Sequence, residues 1–236
     1  MDRSNFRYHH LMSEITIRNV KLLETLNSFS DEFFSKEEYN HPPSQMYSSV
    51  RDMSMGEYYC DREYLEECLA LPETVGVPVR HFAQPISRMV REHPNKEDWK
   101  GFMQKVKYDF AAEIGAHTSA LLSYYPPGGF VGWHTNADAT AYQVLFTWST
   151  GNGYFRYYDK ANDKIVTIQD VAGWQARHYY FGPENEPENH CWHSAYAGDN
   201  RITLAYKFPG HGKHDPRDQQ ARDLRDLLIE EIESVD

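Results

Sequence analysis

The period of this sequence changes at Thr118, and that change restricts the fold more than any other feature. From there to Phe208 the chain breaks into short β-branched or aromatic runs: ALLSYY, AYQVLFTWS, GYFRYYD, KIVTIQD, ARHYYFG and RITLAYKF. Between them stand PPGG, GNG, DKAND, PENEPEN and AGDN, each rich in the residues that turns require. Such closely spaced strands bury their apolar faces only by stacking on one another, so the stretch indicates a sandwich or jelly roll.

Upstream the period is helical. Leu11, Ile15, Leu22, Leu26, Phe29 and Phe33 recur at three- to four-residue steps, or multiples of them, as on one buried helix face. HPPS (41–44) interrupts that pattern, because proline cannot continue a helix. Asp61 is the expected N-cap of a short helix carrying Leu65, Cys68 and Leu69 and stopped by Pro72. VGVPVRHF (75–82) is an expected early strand. A better-marked helix is capped by Asn95, buries Trp99, Phe102, Met103, Val106, Phe110 and Ile114, and ends at Gly115. After Gly210, a polar stretch leads into a final helix. Asp215 caps it, Pro216 suits its first turn, and Ala221, Leu224, Leu227, Leu228 and Ile232 form an apolar face expected to pack on the strands. The chain therefore reads as one α+β domain, mainly β: a mostly helical support region (1–117), a jelly-roll core (118–208) and a C-terminal helix (209–236).

Composition narrows the partners. No run of about 18 apolar residues is present, so no transmembrane helix is expected. MDRSNFRYHH lacks the apolar stretch of a secretory signal. Cys60, Cys68 and Cys191 have no zinc-site spacing and cannot all pair, which fits a reducing, cytoplasmic setting. A net charge of −11 gives no general attraction to phosphate backbones, so nucleic acid is not the expected partner. A monomer or homodimer is expected.

The chemistry gathers around two histidines. His134 lies in GWHTNAD, His193 in CWHSAYAGDNRITLAYKF, and Arg201 stands eight residues after the second. Two imidazoles from separate strands can hold a divalent metal, and a guanidinium beside them can hold an anion. Arg201 and Thr203 share one strand face because side chains alternate, as do Ser123 and Tyr125. His190, His178, His211 and His214 have weaker contexts, reading as turn, packed or solvated. Trp133, Trp148, Tyr154, Trp174 and Trp192 read mostly as core, with one or two at the substrate mouth.

In these residues the chain resembles the Fe(II)- and 2-oxoglutarate-dependent oxygenases, over roughly residues 118 to 208 and closest to the prolyl-hydroxylase-like branch. The resemblance implies a double-stranded β-helix (jelly roll) core. His134-Thr135-Asn136 occupies the place of the family's His-x-Asp/Glu motif, and His193 that of its second histidine. Arg201-Ile202-Thr203 matches the pattern that grips the distal carboxylate of 2-oxoglutarate. Tyr125-Pro126-Pro127-Gly128 looks like the stretch whose tyrosine helps bind that cosubstrate, with Ser123 on the same face. The implied cofactors are Fe(II) and 2-oxoglutarate, and the implied activity is hydroxylation of a small molecule or peptide residue with dioxygen.

Asn136 departs from the pattern, which has a carboxylate there. Three arrangements answer the departure: Asn136 ligates through its amide oxygen and keeps the geometry, Asp138 swings in from a distorted loop, or no protein group fills the position. Two other functions stand beside the oxygenase: a non-catalytic jelly-roll protein binding a small molecule, and a cupin-like metal enzyme without 2-oxoglutarate, in which Arg201 has no role.

Overall fold

The protein is described by a computed structural model covering residues 12–35, 49–71, 79–87, 96–136, 142–181, 190–208 and 219–235. Three short strands come first: β1 (Met12–Ile15), β2 (His81–Phe82) and β3 (Gln84–Pro85). Eight longer ones follow: β4 (Thr118–Tyr125), β5 (Gly129–His134), β6 (Tyr142–Thr150), β7 (Gly153–Asp159), β8 (Lys164–Gln169), β9 (Ala172–Tyr180), β10 (His193–Ala197) and β11 (Arg201–Phe208). They form two antiparallel sheets, one ordered β1-β9-β6-β11-β4-β3 and the other β2-β5-β10-β7-β8. From β4 onward the chain passes back and forth between the sheets, with only β7 and β8 consecutive in one of them. The architecture is a β-rich α+β fold.

All six expected runs are strands, but the structure adds β5 and β10, which bear the two histidines. GFVGWH has two glycines and HSAYA has no β-branched residue, so neither shows the β-branched, alternating pattern of an isolated strand. Their pairing is supplied by neighbours on both sides. The support region is also less helical than its sequence suggests, since β1, β2 and β3 extend the sheets at β9, β5 and β4.

One face of the six-stranded sheet packs on helices. In α1 (Val20–Ser35), Leu22, Leu26, Phe29 and Phe33 are buried as their spacing predicts. Ile15 does not belong to that helix; it lies in β1, and α1 begins only after Asn19, whose side-chain oxygen accepts from Leu22 N–H at 2.9 Å. Next come the short helices α2 (Gly56–Tyr59) and α3 (Arg62–Leu69). Asp61 occupies the N-cap position of α3 without a side-chain capping bond; its carboxylate lies 3.5 Å from Arg156. The expected long helix is α4 (Lys96–Met103), continued by a π-helical segment at Gln104–Asp109 into α5 (Phe110–Glu113). Its apolar stripe, from Trp99 to Ile114, is buried throughout.

The final helix, α6 (Gln219–Glu233), buries Leu228 and Ile232 in the same core, and the Ile232 carbonyl accepts from the backbone N–H groups of Arg18 and Asn19. Leu227 is 62% exposed, so it does not share that face; one residue is about 100° around a helix from its neighbour. Leu11, HPPS, Pro72, residues 75–78, Asn95, Asp215, Pro216 and the side chains of Ala221 and Leu224 lie outside the described residues.

At the centre of this core, Phe33 is fully buried against the rings of Trp99, Phe102 and Tyr124. Phe33→Ala should lower unfolding stability by about 3–5 kcal/mol in urea denaturation, the usual cost of emptying such a site.

Candidate metal and cosubstrate site

β5 and β10 hold the histidines face to face. His134 pairs with His193 and Val131 with Ala195, so β5 places three steps against two on β10. Strict alternation would send Val131 and His134 to opposite faces, yet this bulge turns both into one cavity. The intervening Trp133 goes the other way. It is fully buried with Tyr64, Leu65 and Trp192, and its indole N–H donates to the Asp61 carbonyl at 2.9 Å. Gly132 allows the bend: its N–H donates to Arg80 O at 2.7 Å, and a Cβ there would sit 3.0 Å from Tyr59 O and 3.1 Å from Arg80 O.

The imidazole rings are 4.1 Å apart between centroids. His134 Nδ1 lies 2.8 Å from Gly132 O, and His193 Nδ1 lies 3.0 Å from Cys191 O. A carbonyl only accepts, so each Nδ1 carries the proton and each Nε2 keeps its lone pair. Phe155 and Phe181 lie against the His193 ring and fix its plane. Burial lowers the basicity of His134 below the ordinary histidine value, and burial followed by the neighbouring His134 lowers that of His193 well below it. Both rings are therefore neutral near pH 7, as metal ligation requires. The Asn136 amide nitrogen, Nδ2, lies 3.5 Å from His193 Nε2, so the amide donates toward that lone pair.

Among the described residues no group of three or more His, Cys, Asp or Glu converges. Two neutral imidazoles and an amide suit an open divalent site better than a closed zinc site. Asp138, the alternative third ligand, lies outside the described residues.

Arg201 opens β11 and is 2% exposed. Its Nε donates to Asp170 Oδ2 at 2.8 Å and its Nη1 to Thr203 Oγ1 at 2.7 Å, while its guanidinium carbon lies 5.2 Å from the Tyr125 ring centre. Asp170 also meets Arg177 at 3.5 Å, with both side chains almost wholly buried. Among the described residues, two guanidinium groups thus face one buried carboxylate, one cation more than anion. The other acid paired with Arg177 among the described residues is Glu14, 3.8 Å away with its side chain 69% exposed. Burial opposes the Arg201 charge, and the Asp170 carboxylate offsets that burial.

A cavity of about 210 Å³ joins these groups, lined by His134, Asn136, His193, Tyr125, Arg201 and Thr203 among others. Six of the seven sequence-selected residues thus share one space. Ser123 is buried opposite Thr203 in the strand register but does not line it. None of Trp133, Trp148, Tyr154, Trp174 and Trp192 reaches the cavity; its apolar wall comes from residues such as Leu145, Phe155 and Phe181. His178 is packed against Ser13, and His190 is buried outside the lining; His211 and His214 lie outside the described residues. Asp170 and Arg177 had no sequence signal, since each stands in an ordinary strand-end or strand context.

No protein-family profile and no curated protein matches the sequence. Solved structures do align. A cupin domain from Bordetella pertussis Tohama I is 16% identical over 39% of this chain and 81% of its own, with a TM-score of 0.27. A Pseudomonas putida prolyl-4-hydroxylase is 15% identical over 70% and 91%, with a TM-score of 0.29. AviO1 from Streptomyces viridochromogenes Tue57 is 11% identical over 89% and 92%, with a TM-score of 0.36. At these scores the likenesses do not bear on function.

The site makes two predictions. The histidines are less basic folded than unfolded, so the unfolded chain takes up more protons once pH falls below about 6.5. The stability they contribute is present above that value and is lost on acidification. The wild-type melting temperature should therefore fall more steeply between pH 7.5 and 5.5 than that of His193→Gln. Asp170→Asn should cost about 3–5 kcal/mol in urea unfolding, because it leaves two buried guanidinium groups without their anion.

Proposed function

We propose that this chain is an Fe(II)- and 2-oxoglutarate-dependent oxygenase of the prolyl-hydroxylase-like kind, hydroxylating a small molecule or peptide residue. One observation carries the reading: two neutral, carbonyl-anchored histidines are brought together by a strand bulge in a cavity that also contains a buried arginine. The passage of the chain between sheets from β4 to β11 supports a double-stranded β-helix.

In this reading His134 and His193 present Nε2 to iron, and Asn136 adds a neutral oxygen donor that keeps the geometry of the missing carboxylate. Arg201 offers its guanidinium to the distal carboxylate of 2-oxoglutarate, with Thr203 and Tyr125 shaping that end. Nη2 is the guanidinium nitrogen not used by Asp170 or Thr203. The excess positive charge around Asp170 favours an incoming dianion. Phe155, Phe181 and Leu145 keep the wall apolar, which limits water at the metal side of the cavity. When bound with dioxygen, iron and 2-oxoglutarate supply the oxidising equivalents that exchange a substrate C–H for C–OH, with succinate and carbon dioxide as coproducts.

Asp170 also supports a second reading. Arg201 already has an internal anion, so the same pocket suits a non-catalytic binding protein built on this scaffold.

Anaerobic titration with Fe(II) and 2-oxoglutarate separates the two. The oxygenase should develop the weak visible band of a chelated 2-oxo acid and form succinate when air and substrate are admitted; absence of both favours the binding protein. Arg201→Ala should raise the 2-oxoglutarate requirement about tenfold to a hundredfold, the loss of roughly 1.5–3 kcal/mol of charge-assisted bonding, while iron affinity holds. Asn136→Asp should tighten iron binding.

A further inference from the structure

Gln143 is a buried residue for which metal and cosubstrate leave no task. It is 3% exposed, lines the cavity, and its Nε2 has no partner among the described residues. Buried amide groups are normally hydrogen-bonded, so this one marks a place where a ligand atom belongs. Its cross-strand partner in the sheet is Lys207, which lines the same cavity. Lys207 stands on the β11 face that also carries Arg201, Thr203 and Ala205, six residues beyond Arg201. At strand rise that separation is roughly 20 Å along the sheet. The cavity therefore has a cation at each end of one strand face. Between Thr203 and Lys207 the lining is apolar, from Ala205, Leu145 and Leu121.

We propose that Lys207 and Gln143 form a second anion subsite, which takes the carboxylate of a small organic acid whose apolar body lies along Leu121, Leu145 and Ala205. The two donor groups match the two oxygens of a carboxylate. A phosphate has more oxygens to satisfy than the two groups that meet here. The size fits as well: about 210 Å³ is below the ~300–1,000 Å³ of sites for drug-sized ligands. The net charge of −11 repels anions in general, so an anionic ligand needs a local contact of this kind. The proposal rests on the oxygenase reading only in its consequence, that this acid is the molecule oxidised.

Calorimetric titration of the metal-free protein with hexanoate and with its uncharged analogue hexanamide tests the subsite. Hexanoate should bind at least tenfold more tightly than hexanamide. Lys207→Met should remove most of that preference with melting temperature unchanged, Lys207→Arg should retain it, and Gln143→Leu should weaken hexanoate less than Lys207→Met does. In the Fe(II) titration, Lys207→Met should leave the 2-oxoglutarate requirement within about twofold. Arg201→Ala should do the reverse, raising that requirement and sparing hexanoate. Equal binding of hexanoate and hexanamide, no hexanoate binding, or loss of hexanoate in Arg201→Ala with retention in Lys207→Met would each overturn the subsite. Intact hexanoate binding without an iron–2-oxoglutarate band would uphold the subsite and overturn the oxygenase reading.

Discussion

The site depends on one extra residue in β5. Between Val131 and His134 the strand takes three steps where β10 takes two, and that mismatch reverses which side chains face inward. It is held from outside the cavity. Trp133 is anchored among Tyr64, Leu65 and Trp192, while Gly132 fits against the carbonyls of Tyr59 and Arg80. The helices α2 and α3 therefore do more than cover the sheet. They fix the register that lets two imidazoles meet at 4.1 Å. Carbonyl bonds to both Nδ1 atoms then orient the rings, so the two Nε2 atoms are aimed by backbone rather than by flexible side chains.

The other end of the cavity is organised by charge. A lone buried arginine would be costly, and Asp170 offsets that cost for Arg201 while also meeting Arg177. The result is a rigid cation with spare positive charge around it, which is a different device from an exposed arginine waiting for a ligand. It pre-positions the guanidinium and makes any incoming carboxylate share it with Asp170.

Much of this could be read in the sequence, for identifiable reasons. Strand alternation places Arg201 and Thr203 on one face, and both line the cavity with Tyr125. The stripes from Leu22 to Phe33 and from Trp99 to Ile114 are buried because helical period reports burial directly. Ser123 shows the limit of alternation: it shares a face with Tyr125 yet stays behind the lining. The strands bearing His134 and His193 were hidden because glycine and alanine carry little strand signal, and their pairing is non-local. A bulge is a relation between two strands, so no single run of residues announces it. Asp170 and Gln143 were hidden likewise, since a polar residue at a strand end or in a strand looks solvated until its surroundings are known.

The order of strands along the chain has a consequence for how the protein is made. β11 lies between β4 and β6, and β10 lies between β5 and β7. These are the last two strands in sequence, and they carry His193 and Arg201. Until they insert, each sheet is split, with unpaired edges of the kind that promote misassociation. Insertion of β11 also pairs Asp170 with Arg201. Closing both sheets and completing the cavity thus depend on the same two strands, so a chain in which they fail to insert lacks both a finished core and that cavity.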